Sequence, residues 1–297
     1  MFSHSADEGL SLGGKLLWLA TNSVRSLAGE ARAVLSGRPR IDHPADVFPG
    51  PLHYDEPSGR ASLESSPGRL LAIHTTLGLC RLLNEILAEP VSVLDLGCGS
   101  GGFYPFFRDQ LTRFSHYTGV DIARHPAWEE HEHGSEGRAT FVCSPAERFV
   151  NTLDERSPYN LIHSNCALEH MSDDDDVIQR LCEWSCSQVK PIAQFHVLPA
   201  TAALPLYRCH GYRVYSASDV KRLLCPSGKN FVIGLGGWRS WSQHFFRLGH
   251  GGSASLDYAS RLEAACAHDI VSGGTRLPIM WCLLNLSRLT IDRRELQ

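Results

Sequence analysis

Gly97, Gly99 and Gly101 stand at alternate positions directly after the apolar run Val91–Leu96. A run of that kind reads as a buried strand, and the residues over roughly 101–113 read as a helix. Glycine carries no Cβ, so it lets the backbone come close to a ligand and take positive φ. The N-terminus of the helix that follows offers unpaired N–H groups to an anionic group. Such a turn can cradle a nucleotide-like ligand. Asp121, at the end of the next strand, is placed to accept hydrogen bonds from a pair of ribose hydroxyls. Gly97, Gly99 and Gly102 also satisfy G-x-G-x-x-G, so spacing alone leaves a dinucleotide open. Asp95, two residues before the first glycine, argues the other way. Its carboxylate would repel a pyrophosphate but attract an ammonium group.

The elements needed to position these residues follow in order. Leu70–Leu87 reads as a helix, and His116–Asp121 and Thr140–Cys143 as the second and third strands, with a helix over Pro126–His133 between them. Tyr159–Ser164 and Ile192–Val197 are the fourth and fifth, separated by a helix from Asp173 to Gln188. Phe231–Leu235 and Ile279–Leu286 make the sixth and seventh, with a helix over Ser218–Leu224 before them. Strands alternating with helices imply an α/β fold: a doubly wound, mostly parallel seven-stranded sheet with helices on both faces. Gly236–Gly274 reads as a Gly-, Ser- and aromatic-rich insertion with one helical piece near Tyr258–Ala267.

Upstream, residues 10–36 repeat Leu17, Ala20, Val24, Leu27, Ala31 and Leu35 at helical spacing. This N-terminal helical extension is expected to pack that face on the domain or on a second subunit; peripheral membrane contact is the alternative. Residues 37–68 read as a connector. The expected division is thus 1–67, extension and connector, and 68–297, the α/β domain with a substrate cap at about 199–260.

The composition narrows the partners. Apolar residues make up 43 % of the 297, enough for a sizeable core, and the net charge of −4 gives no field favouring nucleic-acid phosphates. No run reaches the roughly 18 apolar residues of a membrane span. The first ten residues lack the basic start of a secretion signal, and the ten cysteines sit mostly in apolar or motif segments. Reduced thiols and a cytoplasmic location are therefore expected. Cys182 and Cys186, one helical turn apart, have no second pair to complete a zinc site. Asp173–Asp176 point to different sides of a helix, where Ser172 as N-cap and the helix dipole account for them. No metal is expected.

The stretch Tyr159–Met171 (YNLIHSNCALEHM) then carries a resemblance. With the glycine turn, Asp121 and Ser144-Pro145-Ala146-Glu147, the region Val91–Val197 resembles the class I S-adenosylmethionine-dependent methyltransferases, in particular the group with an LEH segment after strand four. The resemblance implies S-adenosylmethionine as cofactor. It implies that Asp95, Gly97 and Gly99 line the methionine moiety, Asp121 the ribose, and Ala146 and Glu147 the adenine. Asn165 would sit near the methionine end, and Cys98, Gly101 and Ile122 complete the cofactor-binding set.

For the acceptor, Ser164-Asn165-Cys166-Ala167 departs from the Asn/Asp-Pro-Pro-Tyr/Phe motif of many amine-methylating enzymes. Cys166 lacks the preceding proline of a cytosine-C5 nucleophile, and the Asp of metal-dependent catechol-type enzymes is absent. A metal-free enzyme acting on a small molecule or glycan remains. Methyl transfer needs alignment above all, and a hydroxyl acceptor also needs a base near neutral pH. His196, His210 and His170 are the candidates, with His244 in the insertion behind them. Tyr207, Tyr212, Arg213 and Tyr215 suit a polyhydroxylated acceptor, with Trp238, Arg239, Trp241, His244 and Phe245 as a lid. The expected reaction is O-methylation of a sugar or glycan precursor. A small secondary metabolite or quinone-like lipid is the alternative, and an inactive binding partner the alternative of another class.

Overall fold

A computed structural model describes residues 11–50, 66–207, 211–250, 256–272 and 278–288. The first helix, α1, runs Leu12–Ser36, capped by Ser11 Oγ accepting from Gly14 N–H at 3.2 Å. Helix α2 (Pro67–Ile86) leads into β1 (Val91–Leu96), α3 (Phe103–Gln110) and β2 (Phe114–Asp121). Then come α4 (Ala127–Gly134), β3 (Ala139–Cys143), the short α5 (Ala146–Val150) and β4 (Leu161–Asn165). A 3-10 turn at Leu168–His170 precedes α6 (Asp174–Ser187) and β5 (Ile192–Pro199). The chain closes with α7 (Ala217–Arg222), β6 (Lys229–Leu235), α8 (Trp238–His250), α9 (Leu256–Ser272) and β7 (Met280–Ser287).

The seven strands form one sheet in the order β3-β2-β1-β4-β5-β7-β6. The pairs β2–β3, β1–β2, β1–β4 and β4–β5 are all parallel. Every residue of β1, β5 and β7 is buried, as their near-continuous apolar runs require of strands covered on both faces. Register puts Asp95 opposite Gly119 on one side and His163 on the other, with Phe195 next in line. On that face Phe103 and Phe107 of α3 pack against His163, at 4.7 and 5.1 Å between ring centroids. On the opposite face Gln194 reaches α6, donating to Ser185 Oγ at 2.9 Å and to the Leu181 carbonyl at 3.4 Å. Helices therefore cover both faces, the doubly wound arrangement expected from the alternation of elements.

Two compact units divide the chain: Met1–Leu79 with Leu198–Lys221 and Val232–Cys282, and Cys80–Val197 with Arg222–Phe231 and Leu283–Gln297. In the first, α1 docks through polar and small residues. Trp18 Nε1 donates to the Gly211 carbonyl at 2.8 Å and Asn22 Nδ2 to that of Tyr212 at 3.4 Å. A Cβ on Gly29 would sit 2.1 Å from Ser216 Oγ, and Glu30 Oε1 accepts from Ala217 N–H at 3.0 Å. Of the two partners expected for this face, the domain itself is not one: Leu17, Ala20, Val24, Leu27, Ala31 and Leu35 are exposed, while Trp18, Asn22, Ser26 and Ala33 are buried. Hydrogen bonds to main-chain carbonyls decide the docking side. The insertion after Gly236 also differs from expectation, forming two helices where one was read. Ser240 joins them, its Oγ donating to Asp269 Oδ2 at 2.6 Å.

In the second unit two further expectations change. Cys182 on α6 and Cys225 are joined in a disulfide, with Cα atoms 5.5 Å apart, so these two thiols are not free. Ser172 does not cap α6; Asp173 holds the N-cap position, and Ser172 Oγ donates to its carboxylate instead. The other acids have separate tasks: Asp175 pairs with Arg222 at 2.9 Å and Asp176 with Arg180 at 2.8 Å. Among the described residues no three His, Cys, Asp or Glu converge on a metal-sized site, and no helix is long and apolar enough to cross a membrane.

Candidate active site

The site is built from the carboxyl ends of β1, β2, β3 and β4, which lie side by side in the sheet order. After Leu96 the chain turns with Gly97, Gly99 and Gly101 at φ of 71, 54 and 79°. This is the left-handed region, which a side chain disfavours. Gly97 and Cys98 both donate their N–H groups to the Val120 carbonyl, at 2.8 and 3.1 Å, so the turn is fastened to the end of β2. Gly99 N–H donates to Asp121 Oδ2 at 2.9 Å. Trp128 Nε1 holds the same residue from the other side, donating to the Gly99 carbonyl at 2.8 Å.

Close approach makes glycine necessary at two of these positions. A Cβ on Gly97 would lie 2.3 Å from that of Ala167, and one on Gly101 would lie 2.6 Å from the Phe141 ring. At Gly99 a Cβ would meet nothing within 4 Å, so this backbone faces open space. Asp121 is half-buried; its Oδ1 accepts from Ala123 N–H at 3.2 Å, and the carboxylate keeps acceptor capacity for further donors. Ile122, beside it, is 52 % exposed.

Most of the residues read as cofactor-binding fall on adjacent strand ends. Gly97, Cys98, Gly99 and Gly101 follow β1; Asp121 and Ile122 end β2. Ala146 and Glu147 open α5 after β3, and Asn165 ends β4 with its Oδ1 buried and without a hydrogen-bond partner.

Asp95 does not join them. It is 2 % exposed, and both carboxylate oxygens are engaged inside the core: Tyr117 Oη donates to Oδ2 at 2.5 Å, and His163 Nδ1 lies 2.7 Å from Oδ1. Strand alternation explains the correction, because Asp95 shares its face with Tyr117 and His163 rather than pointing along the strand toward the turn. The same surroundings, burial first and then the Asp95 charge, raise the Tyr117 hydroxyl well above its ordinary range and keep it a donor.

The candidate bases are placed differently. His196 is buried on β5, its Nδ1 2.8 Å from Ser164 Oγ; burial, reinforced by His163, pushes it down to about 3. It stays neutral and is a poor base near pH 7. His244 is also buried, 2.9 Å from Tyr258 Oη, and burial with Arg247 lowers it to about 4. His170 is half-buried in the 3-10 turn following β4. His210 lies outside the described residues. Of the residues read as acceptor contacts, Tyr215 is fully buried, and Tyr207 Oη accepts from Gly68 N–H at 2.8 Å.

Three participants escaped sequence reasoning. Ala167 is the small residue that allows Gly97 its approach, and Trp128 anchors the turn. Glu169 of the LEH segment is fully buried, and burial pushes its carboxyl up to about 8. Ala167 and Glu169 stood in quoted motifs, but no packing role could be read for either from local spacing. Trp128 carries no local signal, since its partner Gly99 is distant in sequence.

Residues 71–193 match a family model described as a methyltransferase domain. This segment is similar to methyltransferase domains. The match covers α2 through the start of β5, and therefore the whole glycine turn and all four strand ends. Enzymes of the class I methyltransferase group take their methyl group from S-adenosylmethionine, and the seven-stranded, mostly parallel sheet is the fold of that class. No curated protein matches the chain. Among solved structures, the plantazolicin methyltransferase BamL, in complex with a triazolic desmethylPZN analog and SAH, is 17 % identical with a TM-score of 0.48. It covers 75 % of this chain and 86 % of its own. The Burkholderia thailandensis 1,6-didemethyltoxoflavin-N1-methyltransferase is 18 % identical with a TM-score of 0.33, covering 65 % of this chain and 67 % of its own. Likenesses of this size carry no argument about the acceptor.

Proposed function

We propose that this methyltransferase uses S-adenosylmethionine to methylate a hydroxyl of a sugar or glycan precursor. The observation that carries the donor half is the tie between Gly99 and Asp121. It holds a left-handed, side-chain-free backbone open beside a carboxylate with acceptor capacity to spare. A nucleoside fits such a cradle: the turn admits its bulk and Asp121 accepts from ribose hydroxyls. Asn165, with an unused buried oxygen at the end of β4, offers an acceptor for an ammonium group in the role first read for Asp95. When bound, the cofactor supplies an electrophilic methyl group on a sulfonium. This chain's residues align the groups and exclude water, which is the larger part of catalysis for such a displacement.

For the acceptor half, His170 is the base this reading favours. It follows the β4 end and is half-buried, whereas His196 and His244 are held neutral in the core. Within the first unit, an aromatic ladder on α8 is a surface suited to a polyhydroxylated molecule. Trp238, 71 % exposed, stacks on Trp241 at 5.3 Å, and Trp241 on Phe245 at 4.6 Å. Sugars bind to faces of this kind, and so do flat apolar rings; a small secondary metabolite or quinone-like acceptor is thus the second reading.

Calorimetric titration with S-adenosylmethionine, S-adenosylhomocysteine and NAD tests the donor. Both adenosyl-sulfur ligands should bind and NAD should not, and Asp121→Ala should weaken binding by on the order of a hundredfold. Lack of binding by the wild-type protein would end the donor reading. A labelled-methyl screen of sugar nucleotides, free sugars and quinols tests the acceptor. His170→Ala should then lower turnover at unchanged cofactor affinity; an unaffected rate would remove the base assignment.

A further inference from the structure

Helix α1 has one face committed and the other exposed among the described residues. Trp18, Asn22 and Ser26 lie against its own unit, and Arg25 points to the same side, 3.8 Å from Asp219. On the opposite side Leu17, Ala20, Val24, Leu27, Ala31 and Val34 are all exposed, with Leu17 at 69 %, Val24 at 67 % and Leu27 at 71 %. Their spacing alternates three, four, three, four, three. That is the 3.5-residue period of a helix–helix seam, in which two positions per heptad meet a partner helix. Leu16 and Leu35, also exposed, widen it; Thr21, Ser23 and Ala28 beside it are small and uncharged, while Glu30 and Arg32 flank it, Glu30 held by Arg38 and Ala217 N–H. Small residues let two helix axes come close.

We infer that this seam is an interface with a second copy of the same chain, α1 against α1 about a two-fold axis. Such an interface is isologous, with the same patch serving on both copies. The area is adequate. A buried aliphatic side chain removes roughly 60–120 Å² from water, so the six exposed Leu and Val residues bring the pair of helices to about 1,000 Å². A membrane surface fits less well. Interfacial helices carry cations beside the apolar stripe and aromatic residues within it. Here Trp18, the helix's single aromatic residue, faces inward, Arg25 is drawn toward Asp219 on the docked side, and Arg32 alone of the cations of α1 is exposed. This inference does not depend on the identity of the methyl acceptor.

Sedimentation equilibrium of the full chain at micromolar concentration should give a mass near twice 32.8 kDa. The double substitution Val24→Glu and Leu27→Glu should raise the dimer dissociation constant by on the order of a hundredfold and yield monomers. Because both side chains are exposed in the monomer, its thermal midpoint and far-ultraviolet spectrum should be those of the dissociated wild-type chain. A monomeric wild-type protein overturns the inference, and so does a dimer that the double substitution leaves intact. Flotation with phosphatidylserine-containing vesicles is the second measurement. A wild-type chain that is monomeric and floats, with flotation abolished by the same substitutions, assigns the seam to a membrane instead.

Discussion

Tyr117 and Asp95 are joined by a 2.5 Å hydrogen bond inside the core, linking the middle of β2 to the strand that launches the glycine turn. A carboxylate there needs its donors. Tyr117→Phe removes one and leaves a buried oxygen unsatisfied, at a cost of about 1–3 kcal/mol that thermal denaturation will register. Asp95→Asn should likewise lower stability more than it lowers affinity for S-adenosylmethionine. If affinity falls sharply at unchanged stability, Asp95 contacts the ligand after all.

Gly97→Ala should destabilise by about 2–4 kcal/mol, because a side chain at φ 71° is strained and its Cβ would strike Ala167. The double variant Gly97→Ala, Ala167→Gly should recover the steric share and keep the conformational one. Equal denaturation midpoints for Gly97→Ala and wild type would refute the close approach.

Glu169 and His196 set opposite pH dependences. The Glu169 carboxyl, raised to about 8 by burial, binds its proton more tightly in the folded chain. Its contribution is complete below the unfolded value near 4.5 and is lost as pH rises through 8. His196, lowered to about 3, is neutral in the folded chain, so stability is lost as pH falls from 6.5 toward 3. Glu169→Gln should therefore remove the loss between pH 4.5 and 8 while leaving the loss below pH 4.5 unchanged. Denaturant titrations at a series of pH values measure this; an unaltered slope between pH 4.5 and 8 would show that Glu169 ionises freely in the folded state.

The Cys182–Cys225 disulfide closes a loop with a sequence separation of 43 residues, for which reduction should cost about 2–4 kcal/mol. Alkylation of the denatured, unreduced chain followed by peptide mass analysis should leave these two cysteines unlabelled. Labelling of both would return them to the reduced state first expected from their apolar surroundings.

Legibility in the sequence followed the reach of the interactions. The glycine turn, the end of β2 at Asp121 and the succession of strands and helices could be read because each rests on local spacing or on the alternation of elements. Asp95 was misplaced because its partners, Tyr117 and His163, stand 22 and 68 residues away. Nothing in an acid two residues before a glycine tells which way a strand presents it. The amphipathic character of α1 was visible, but not which face docks, since the carbonyls that take Trp18 and Asn22 exist as acceptors only once residues 211 and 212 have folded. The two helices after Gly236 were masked by glycine and serine, whose low intrinsic propensity packing overrode. His196 looked suited to proton transfer by its strand-end position; burial, which no local pattern reports, lowers its basicity.

The docking of α1 has a consequence for how the chain tolerates inherited change. Trp18 and Asn22 address main-chain carbonyls, which every amino acid carries, so neither bond depends on the type of side chain at the receiving position. Other contacts do depend on it: φ of 67° favours glycine at 211, Gly29 is fitted to Ser216, and Arg25 to the Asp219 carboxylate. Inherited change at Gly29 or Arg25 therefore calls for a matching change across the contact, whereas Trp18 and Asn22 can stay fixed while their partners' side chains vary.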